Sequence, residues 1–437
     1  MAIKVCKFGG TSMADGTVMN TVKNIIESDK ERRFIVVSAP GKRYSGDTKV
    51  TDLLYACHAT NSREELKKDF APVRARFNSI IKELNSNFDI ESVLNEVEEQ
   101  IYLNKSQDFT ASRGEYLCAI IMSHVLGAKF VDSKDVIFFK EDGSLDGEKT
   151  YKAVAAALSG VPRAVISGFY GTGTDGKIKT FSRGGSDISG AIVARSVNAS
   201  LYENWTDVSG FLACDPRIVD SPKRINCISY KELRELSYMG AEVLHSESIF
   251  PVRKANIPIV IKNTFRPQDE GTTIIPTSRY VQSGATVTGI AGKKNFTIIY
   301  IEKSLMNTEI GFISKVLQVL SDENISVEHI PSGIDTMSLV VESSQLEGKL
   351  TRVIDGIKNA VSPDVVRITE DIALIATVGY GMSSSIGTSA RLFNAVAAAN
   401  INIKIIDQGS SEINIIVGVR NEDYEKCIRA IYGEFFN

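Results

Sequence analysis

The sequence has little that would tie it to a metal, a membrane or a polyanion. Its four histidines, His58, His124, His245 and His329, lie far apart and form no metal-ligand cluster, so no transition-metal site is expected. Six cysteines (Cys6, Cys57, Cys118, Cys214, Cys227, Cys427) are scattered with no CxxC and no paired spacing, which suits reduced thiols in a cytosol and argues against a disulfide framework. No apolar run is long enough for a membrane span, and a chain that opens directly on a strand pattern is expected to carry no signal peptide, so the expectation is a cytoplasmic protein with no membrane partner. The formal net charge of −3 gives no general attraction for nucleic acid or anionic membrane, and any phosphate binding must come from local groups. At 437 residues the chain is too long for one core and calls for two to four domains.

What is present begins with the first strand. Ile3, Val5, Cys6 and Phe8 make a short apolar run with β-branched members, and it stops at Gly9-Gly10-Thr11-Ser12. The glycines allow a tight turn and close approach of a ligand, the hydroxyls can cap the next helix, and Lys7 sits at the strand's carboxyl end, where open α/β sheets hold their ligands. A lysine beside such a turn is a site for phosphate; the same residues also fit an ordinary βα turn with an exposed lysine. A helix at 18–28 and a strand at 33–39 follow, the latter ending in Ser38-Ala39-Pro40-Gly41. Residues 42–49 read as a charged, flexible loop, Thr51 opens a helix, and 61–107 read as a charged, solvated helical excursion from the sheet. A further helix over 109–126 carries Ser112-Arg113-Gly114-Glu115. Strand runs recur at 129–132, 164–169, 199–205 and 257–262 with helices between several of them, which predicts a mainly parallel sheet covered by helices on both faces.

Gly171-Thr172-Gly173-Thr174-Asp175-Gly176 matches a dinucleotide GxGxxG, but the alternating Lys177–Phe181 behind it predicts a hairpin where that site needs a helix. Ser182-Arg183-Gly184-Gly185-Ser186-Asp187 instead precedes a small apolar helix over 188–197. Its arginine can fork a carboxylate or phosphate, though a capped helix start with a surface arginine fits as well. Asn204-Trp205-Thr206-Asp207-Val208 and Asp215-Pro216-Arg217 follow, and the lone tryptophan suits core packing better than chemistry. Loss of periodicity over 271–292 places a domain boundary near 282–284. Beyond it the chain repeats itself. Met306, Gly311, Asn324-Ile325, Val327, Ile330 and Gly333 recur as Met382, Gly387, Asn400-Ile401, Ile403, Ile406 and Gly409, all offset by 76 residues without a gap (387 − 311 = 76). Two small modules of one kind follow from that.

Together these stretches resemble the aspartate kinase family of the amino acid kinase superfamily. The resemblance is carried by Lys7-Phe8-Gly9-Gly10-Thr11-Ser12, Ser112-Arg113-Gly114-Glu115, Ser182–Asp187, Trp205-Thr206-Asp207-Val208, Asp215-Pro216-Arg217 and the Asn-Ile signatures of the repeat, over essentially the whole length. It implies an α/β fold, a three-layer amino acid kinase fold with a mainly parallel central sheet over residues 1–283, followed by two ferredoxin-like (βαββαβ) ACT modules at 284–366 and 367–437 with a terminal strand open to exchange between them. The implied reaction is transfer of phosphate from MgATP to the side-chain carboxylate of L-aspartate, the first step toward lysine, threonine and methionine. By resemblance, Lys7 bridges the β-carboxylate and the transferring phosphoryl group, with Asp187 and Glu115 oriented around Lys7 and the α-ammonium. Thr51 and Ser38 hold the side-chain carboxylate and phosphate region, Arg183 and Ser186 the α-carboxylate, and Phe169 lies with the substrate. Gly9, Gly10, Thr206, Asp207 and Arg217 contact nucleotide. The implied effector, lysine with threonine as the alternative, meets Met306, Gly311, Phe312, Ser326, Val327, Glu328 and Ser332 in a homodimer or homotetramer built through the ACT modules. No protein metal ligands are implied, because Mg²⁺ is held mainly by ATP phosphates and waters.

The reaction makes chemical sense of what the motifs omit. A carboxylate is ionised at neutral pH and needs no general base, while two unit charges of one sign at ~4 Å and an effective dielectric of about 20 repel by about 4 kcal/mol, so neutralisation and positioning must supply the catalysis. Three residues depart from the family pattern: Glu242 where a nucleotide-contacting lysine is expected, Ser246 where a proline is, and Leu212 where a tyrosine is. Two rival readings follow, a glutamate 5-kinase or acetylglutamate kinase, against which the paired modules argue, and an amino-acid sensor with a degenerate kinase domain.

Overall fold

The computed structural model describes residues 2–182, 184–241, 244, 248–280 and 285–436. Arg183, Glu242, Ser246 and the expected boundary at 282–284 lie outside the described residues. The chain forms two compact units: Met1–Phe211 with Arg224–Leu233 and Glu242–Tyr280, and Leu212–Lys223 with Arg234–Ala241 and Val281–Asn437.

In the first unit, β1 (Lys4–Phe8) leads through α1 (Gly16–Glu27) to β2 (Arg32–Val37). Four helices follow, α2 (Val50–His58), α3 (Arg63–Glu83), α4 (Ile90–Asn104) and α5 (Gln107–Leu126). Then come β3 (Lys129–Val131), α6 (Gly147–Leu158), β4 (Ala164–Ser167), the hairpin β5 (Tyr170–Thr172) and β6 (Ile178–Thr180), α7 (Gly185–Ser196) and β7 (Leu201–Thr206). The unit is completed by β8 (Cys227–Ser229), the start of α8 (Tyr230–Tyr238), α9 (Phe250–Lys254), β9 (Ile259–Asn263) and β10 (Thr272–Ile275). The sheet order is β3-β4-β2-β1-β7-β9-β10-β8, parallel except where β9 meets β10. The chain moves outward from β1 through β2 and returns to β1's other side as β7, so the crevice at the carboxyl ends of these strands is a topological switch point.

Strand alternation sorts the side chains. Cys6, Phe8, Ile35, Val37 and Trp205 join the core shared with α1–α5, while Lys7 and Asn204 point to the opposite face, against α7. The GxGxxG match lies in the β5–β6 hairpin, as the alternation behind it predicts. The stretch 61–107 corrects the solvated excursion expected from its charge. Leu66, Phe70, Val73, Phe77 and Ile80 of α3 and Leu94, Val97 and Ile101 of α4 recur at helical spacing, and all are buried in the central core. The stretch is a structural layer.

In the second unit, β11 (Gly289–Glu302), α10 (Phe312–Asp322), β12 (Thr336–Glu342), α11 (Leu350–Val361) and β13 (Val365–Val378) precede α12 (Thr388–Ala398), β14 (Ile405–Asp407), β15 (Asn414–Arg420) and α13 (Tyr424–Phe436). They form one antiparallel sheet, β12-β11-β13-β15-β14. Each long strand serves both modules. Phe296–Glu302 of β11 pairs with β12 and with the first part of β13, whereas Gly289–Lys293 pairs with Leu374–Val378 and supplies the second module's fourth strand from ahead of the first. The register shifts between these stretches, beside Asn295 and Asp371 at positive φ (71° and 57°). The repeat's signatures are backbone requirements: Gly311 and Gly387 start their helices at φ 83° and 85°, and Asn324 and Asn400 follow those helices at φ 54° and 51°, the left-handed region that glycine and asparagine tolerate best. Leu212–Lys223 and Arg234–Ala241, inside the span expected for the catalytic domain, group with these modules, where Ala213 O accepts from Ile290 N at 2.7 Å and Glu235 Oε2 from Asn414 Nδ2 at 2.7 Å.

Candidate active site

A cavity of about 440 Å³ opens at the carboxyl ends of β1, β2 and β7. Lys7, Gly9, Gly10 and Thr11 line it from β1 and its turn, Ser38 to Lys42 from the end of β2, and Asn204, Thr206 and Asp207 from β7. Lys49, Thr51, Glu115 and Asp187 complete the wall. Nine of the residues expected at the site from sequence therefore share one cavity: Lys7, Gly9, Gly10, Ser38, Thr51, Glu115, Asp187, Thr206 and Asp207.

The turn is closed by its own backbone. Gly9 N donates to Trp205 O (3.0 Å), and Gly41 N donates to Gly10 O (2.8 Å). The two segments touch so closely that a Cβ on Gly41 would lie 2.6 Å from Gly10 C, so the approach of loop to turn requires glycine. Lys7 is 7 % exposed, and its Nζ stands 2.6 Å from Asp187 Oδ1. Asp187 sits in the first turn of α7, where a carboxylate is favoured by the free amides. The same Oδ1 accepts from Asn204 Nδ2 at 2.7 Å, and Asn204 is Lys7's partner in strand register.

The Ser112–Glu115 segment divides its labour. Arg113 is buried with its guanidinium 4.4 Å from the ring centroids of both Phe109 and Tyr116, and it bonds Ser112 Oγ; it packs the core. Gly114 lets α5 approach Ala39, whose Cβ would be 2.6 Å from a Cβ there. Glu115 is the member that reaches the cavity. It is 5 % exposed, and its Oε2 has no hydrogen-bond partner among the described residues. Burial pushes its carboxyl up to about 8, with an Ala39 backbone hydrogen bond opposing the rise. A buried carboxyl that lines a cavity, with one oxygen unpartnered among the described residues, has capacity for a further donor.

Other expected residues lie elsewhere. Phe169 and Ser186 are not among the cavity's lining residues. Phe169 holds φ 80°, unusual for a bulky side chain, with its N–H donating to Ser189 Oγ at 3.0 Å. Ser186 packs on Gly168, where a Cβ would be 2.7 Å from its Oγ. Arg217 belongs to the second unit and pairs with Asp215 at 2.6 Å. Trp205 stacks on Phe8 and donates to Glu203 Oε2 at 2.8 Å, deep in the core. Among the described residues no group of three His, Cys, Asp or Glu side chains could hold a metal. Sequence reasoning missed Asn204, Lys42 and Lys49. The first adjoins Trp205-Thr206-Asp207, and the lysines sit in the loop read as flexible, which the structure corrects: Asp47 there is buried between Arg43 and Arg76.

Of the expected effector contacts, Met306 and Phe312 are buried in the first module's core and Gly311 starts α10. Ser326 N donates to Gln345 Oε1 at 2.8 Å, Val327 packs on the same core and Ser332 bridges Met337. The carboxylate of Glu328 accepts a hydrogen bond from the Tyr238 hydroxyl within the second unit.

Comparison with known proteins identifies the class. Residues 2–263 match the amino acid kinase family and 375–435 an ACT domain, so the chain belongs to the amino acid kinase family and carries an ACT domain behind the kinase fold. Aspartate kinases are among the relatives it matches over nearly the whole of both chains. It is 38 % identical to aspartokinase 3 of Bacillus subtilis over 99 % of both chains. The crystal structure of Clostridium acetobutylicum aspartate kinase superposes with a TM-score of 0.91 at 48 % identity, covering 100 % of this chain and 99 % of that one. Escherichia coli aspartokinase III, solved with aspartate and ADP in an R-state and with lysine and aspartate in a T-state, gives TM-scores of 0.76 and 0.72 at 26 % identity, each over 100 % of both chains. This chain is accordingly an enzyme of the aspartate kinase type, with a mainly parallel α/β kinase fold and one antiparallel sheet in its C-terminal ACT region.

Proposed function

We propose that the cavity transfers the γ-phosphoryl group of MgATP to the β-carboxylate of L-aspartate, forming 4-phospho-L-aspartate at the head of lysine, threonine and methionine synthesis in the cytoplasm. One observation carries the reading: Lys7, the glycine turn, the hydroxyls of Ser38 and Thr51, and Glu115, whose Oε2 has no hydrogen-bond partner among the described residues, line one space of about 440 Å³. The acceptor oxygen is already anionic, so the protein's task is to bring two anions together. Lys7 and the amides of Gly9 and Gly10 would take the phosphates, with Thr206, Asp207 and Arg217 toward the nucleotide. Thr51 would hold the side-chain carboxylate, Ser38 the phosphate region, and Arg183 with Ser186 the α-carboxylate beside Phe169. Asp187 orients Lys7, and Glu115 would receive the α-ammonium, exchanging its proton for an ion pair. Mg²⁺ would be held mainly by phosphate oxygens and waters, which agrees with a cavity whose carboxylates, Asp187, Asp207 and Glu115, stand in separate roles.

Regulation belongs to the same reading. The effector would be lysine, with threonine the alternative, bound in the first module by Met306, Gly311, Phe312, Ser326, Val327, Glu328 and Ser332. The lysine complex of the E. coli relative supports that choice. Assembly into a homodimer or homotetramer through the modules is supported by apolar residues left exposed at equivalent positions, Ile310 and Ile386 (97 % and 104 %) and Ile330 and Ile406. The test is coupled ADP release with aspartate, glutamate and no acceptor, with and without lysine and threonine. Aspartate-dependent turnover sensitive to lysine is expected; turnover with glutamate alone, or none with any acceptor, overturns the reading.

A further inference from the structure

Behind the cavity, Arg76 of α3 is 5 % exposed although its charge is permanent. Its Nη1 donates to Gly41 O at 3.1 Å and more distantly to Ala14 O at 3.4 Å, and its Nη2 donates to Asp47 Oδ2 at 2.7 Å and Thr48 O at 3.2 Å. Asp47 is gripped from the other side by Arg43, through Nε at 2.9 Å and Nη2 at 3.0 Å, and these bonds hold its carboxyl far below the usual carboxylate range. The partner carbonyls lie on three short segments beside the cavity. Ala14 follows the glycine turn, whereas Gly41 and Thr48 flank the loop that brings Lys42 and Lys49 to the cavity.

Hydrogen bonds hold this loop. A second space of about 430 Å³, lined in part by Arg43, Asp47, Leu53, Pro72 and Arg76, lies against the cluster, so packing does not fix the loop from that side. Only a planar fork serves carbonyls on three segments and a carboxylate at once; an ammonium cannot. Two guanidiniums on one carboxylate also leave an excess positive charge behind a loop that already carries two lysines.

We propose that Arg76 is a positioning residue for the reaction: it ties the segment after the glycine turn to both ends of the 41–48 loop and so sets the spacing between the backbone amides and the lysines that receive the anionic substrates. The inference rests on the reading of the cavity given under Proposed function. The test uses Arg76→Lys, Arg76→Met and Asp47→Asn in the full chain, measuring KM and kcat for aspartate and ATP, Kd for MgADP by calorimetry, and amide exchange over residues 41–49. The expected result is a KM raised at least fivefold for both substrates with kcat within threefold, MgADP binding weakened at least fivefold, and exchange over the loop at least tenfold faster, the largest changes in Arg76→Met. If Arg76→Met does not fold, the two milder variants carry the test. Faster exchange with KM and Kd within twofold of the parent, or unchanged exchange, overturns the proposal and leaves Arg76 a structural residue. Absence of aspartate turnover in the parent would sink the reading of the cavity, while MgADP affinity against loop exchange would still decide the role of Arg76.

Discussion

The kinase cavity and the paired modules use opposite economies of sequence. The cavity gathers unlike groups: an ammonium against a carboxylate at 2.6 Å, a buried acid with one oxygen unpartnered among the described residues, and the amides of a glycine turn. In the modules the backbone is written twice, 76 residues apart, and the chemistry is allowed to drift. Gly311 and Gly387 share one conformation, as do Asn324 and Asn400, yet Glu328 of the first module stands where the second has Lys404. Repetition preserves what the fold demands, and the departures from it mark where the two modules do different things. On the proposed reading, the effector site belongs to the first module alone.

The comparison should break most sharply in the cavity, at the charge of Lys7. Lys7→Met keeps the length of the side chain and removes its charge; kcat is expected to fall at least about 10³-fold, read by coupled ADP release, because in the proposed reaction Lys7 quenches the repulsion between the two anions. A loss under tenfold would move the catalytic burden elsewhere. Next in size is Glu115→Gln, expected to raise KM for aspartate about 10–100-fold. Its pH signature runs opposite to an ordinary salt-bridged acid. The folded chain keeps this proton up to about 8 while the unfolded chain releases it near 4.5, so the parent loses stability as pH rises between those values. Glu115→Gln in the ligand-free protein should therefore gain about 3 kcal/mol relative to the parent at pH 7 and nothing below pH 4.5, in denaturant melts at the two pH values. Binding of aspartate at pH 7 should release close to one proton in calorimetry across buffers of different ionisation enthalpy.

How far the sequence carries depends on the range of the contacts. The strand, glycine turn and helix at 185–196 are local patterns and were legible, as was the repeat, whose glycines and asparagines answer to φ alone. The core role of α3 and α4 was hidden because Leu66, Phe70, Val73 and Phe77 are spaced among many charges, and the charge dominated the reading. Loop 42–49 looked free because its anchor, Arg76, lies about 30 residues away on a helix with no motif. Asn204 was passed over for a similar reason, its partner Asp187 being 17 residues back. The second module's fourth strand precedes the first module in sequence, an arrangement that a linear repeat does not announce.

The modules sharpen the comparison with smaller effects. Glu328→Ala should raise the lysine concentration for half-inhibition at least tenfold with uninhibited turnover intact, whereas Lys404→Ala, at the matching position, should shift it less than twofold. Equal responses in both would mean that the second module shares the effector. The smallest effect tests the repeat itself. At Gly311 and Gly387 a Cβ would meet nothing within 4 Å, so alanine there costs only the left-handed backbone, about 1 kcal/mol at each site. In the cavity the same change at Gly41 collides with the backbone of Gly10. Gly311→Ala and Gly387→Ala should thus give nearly equal drops in thermal melts and unaltered kcat, while Gly41→Ala should lose activity out of proportion to its stability. If Gly387→Ala were silent and Gly311→Ala costly, conformation would not be what the repeat conserves, and the two glycines would owe their places to different causes.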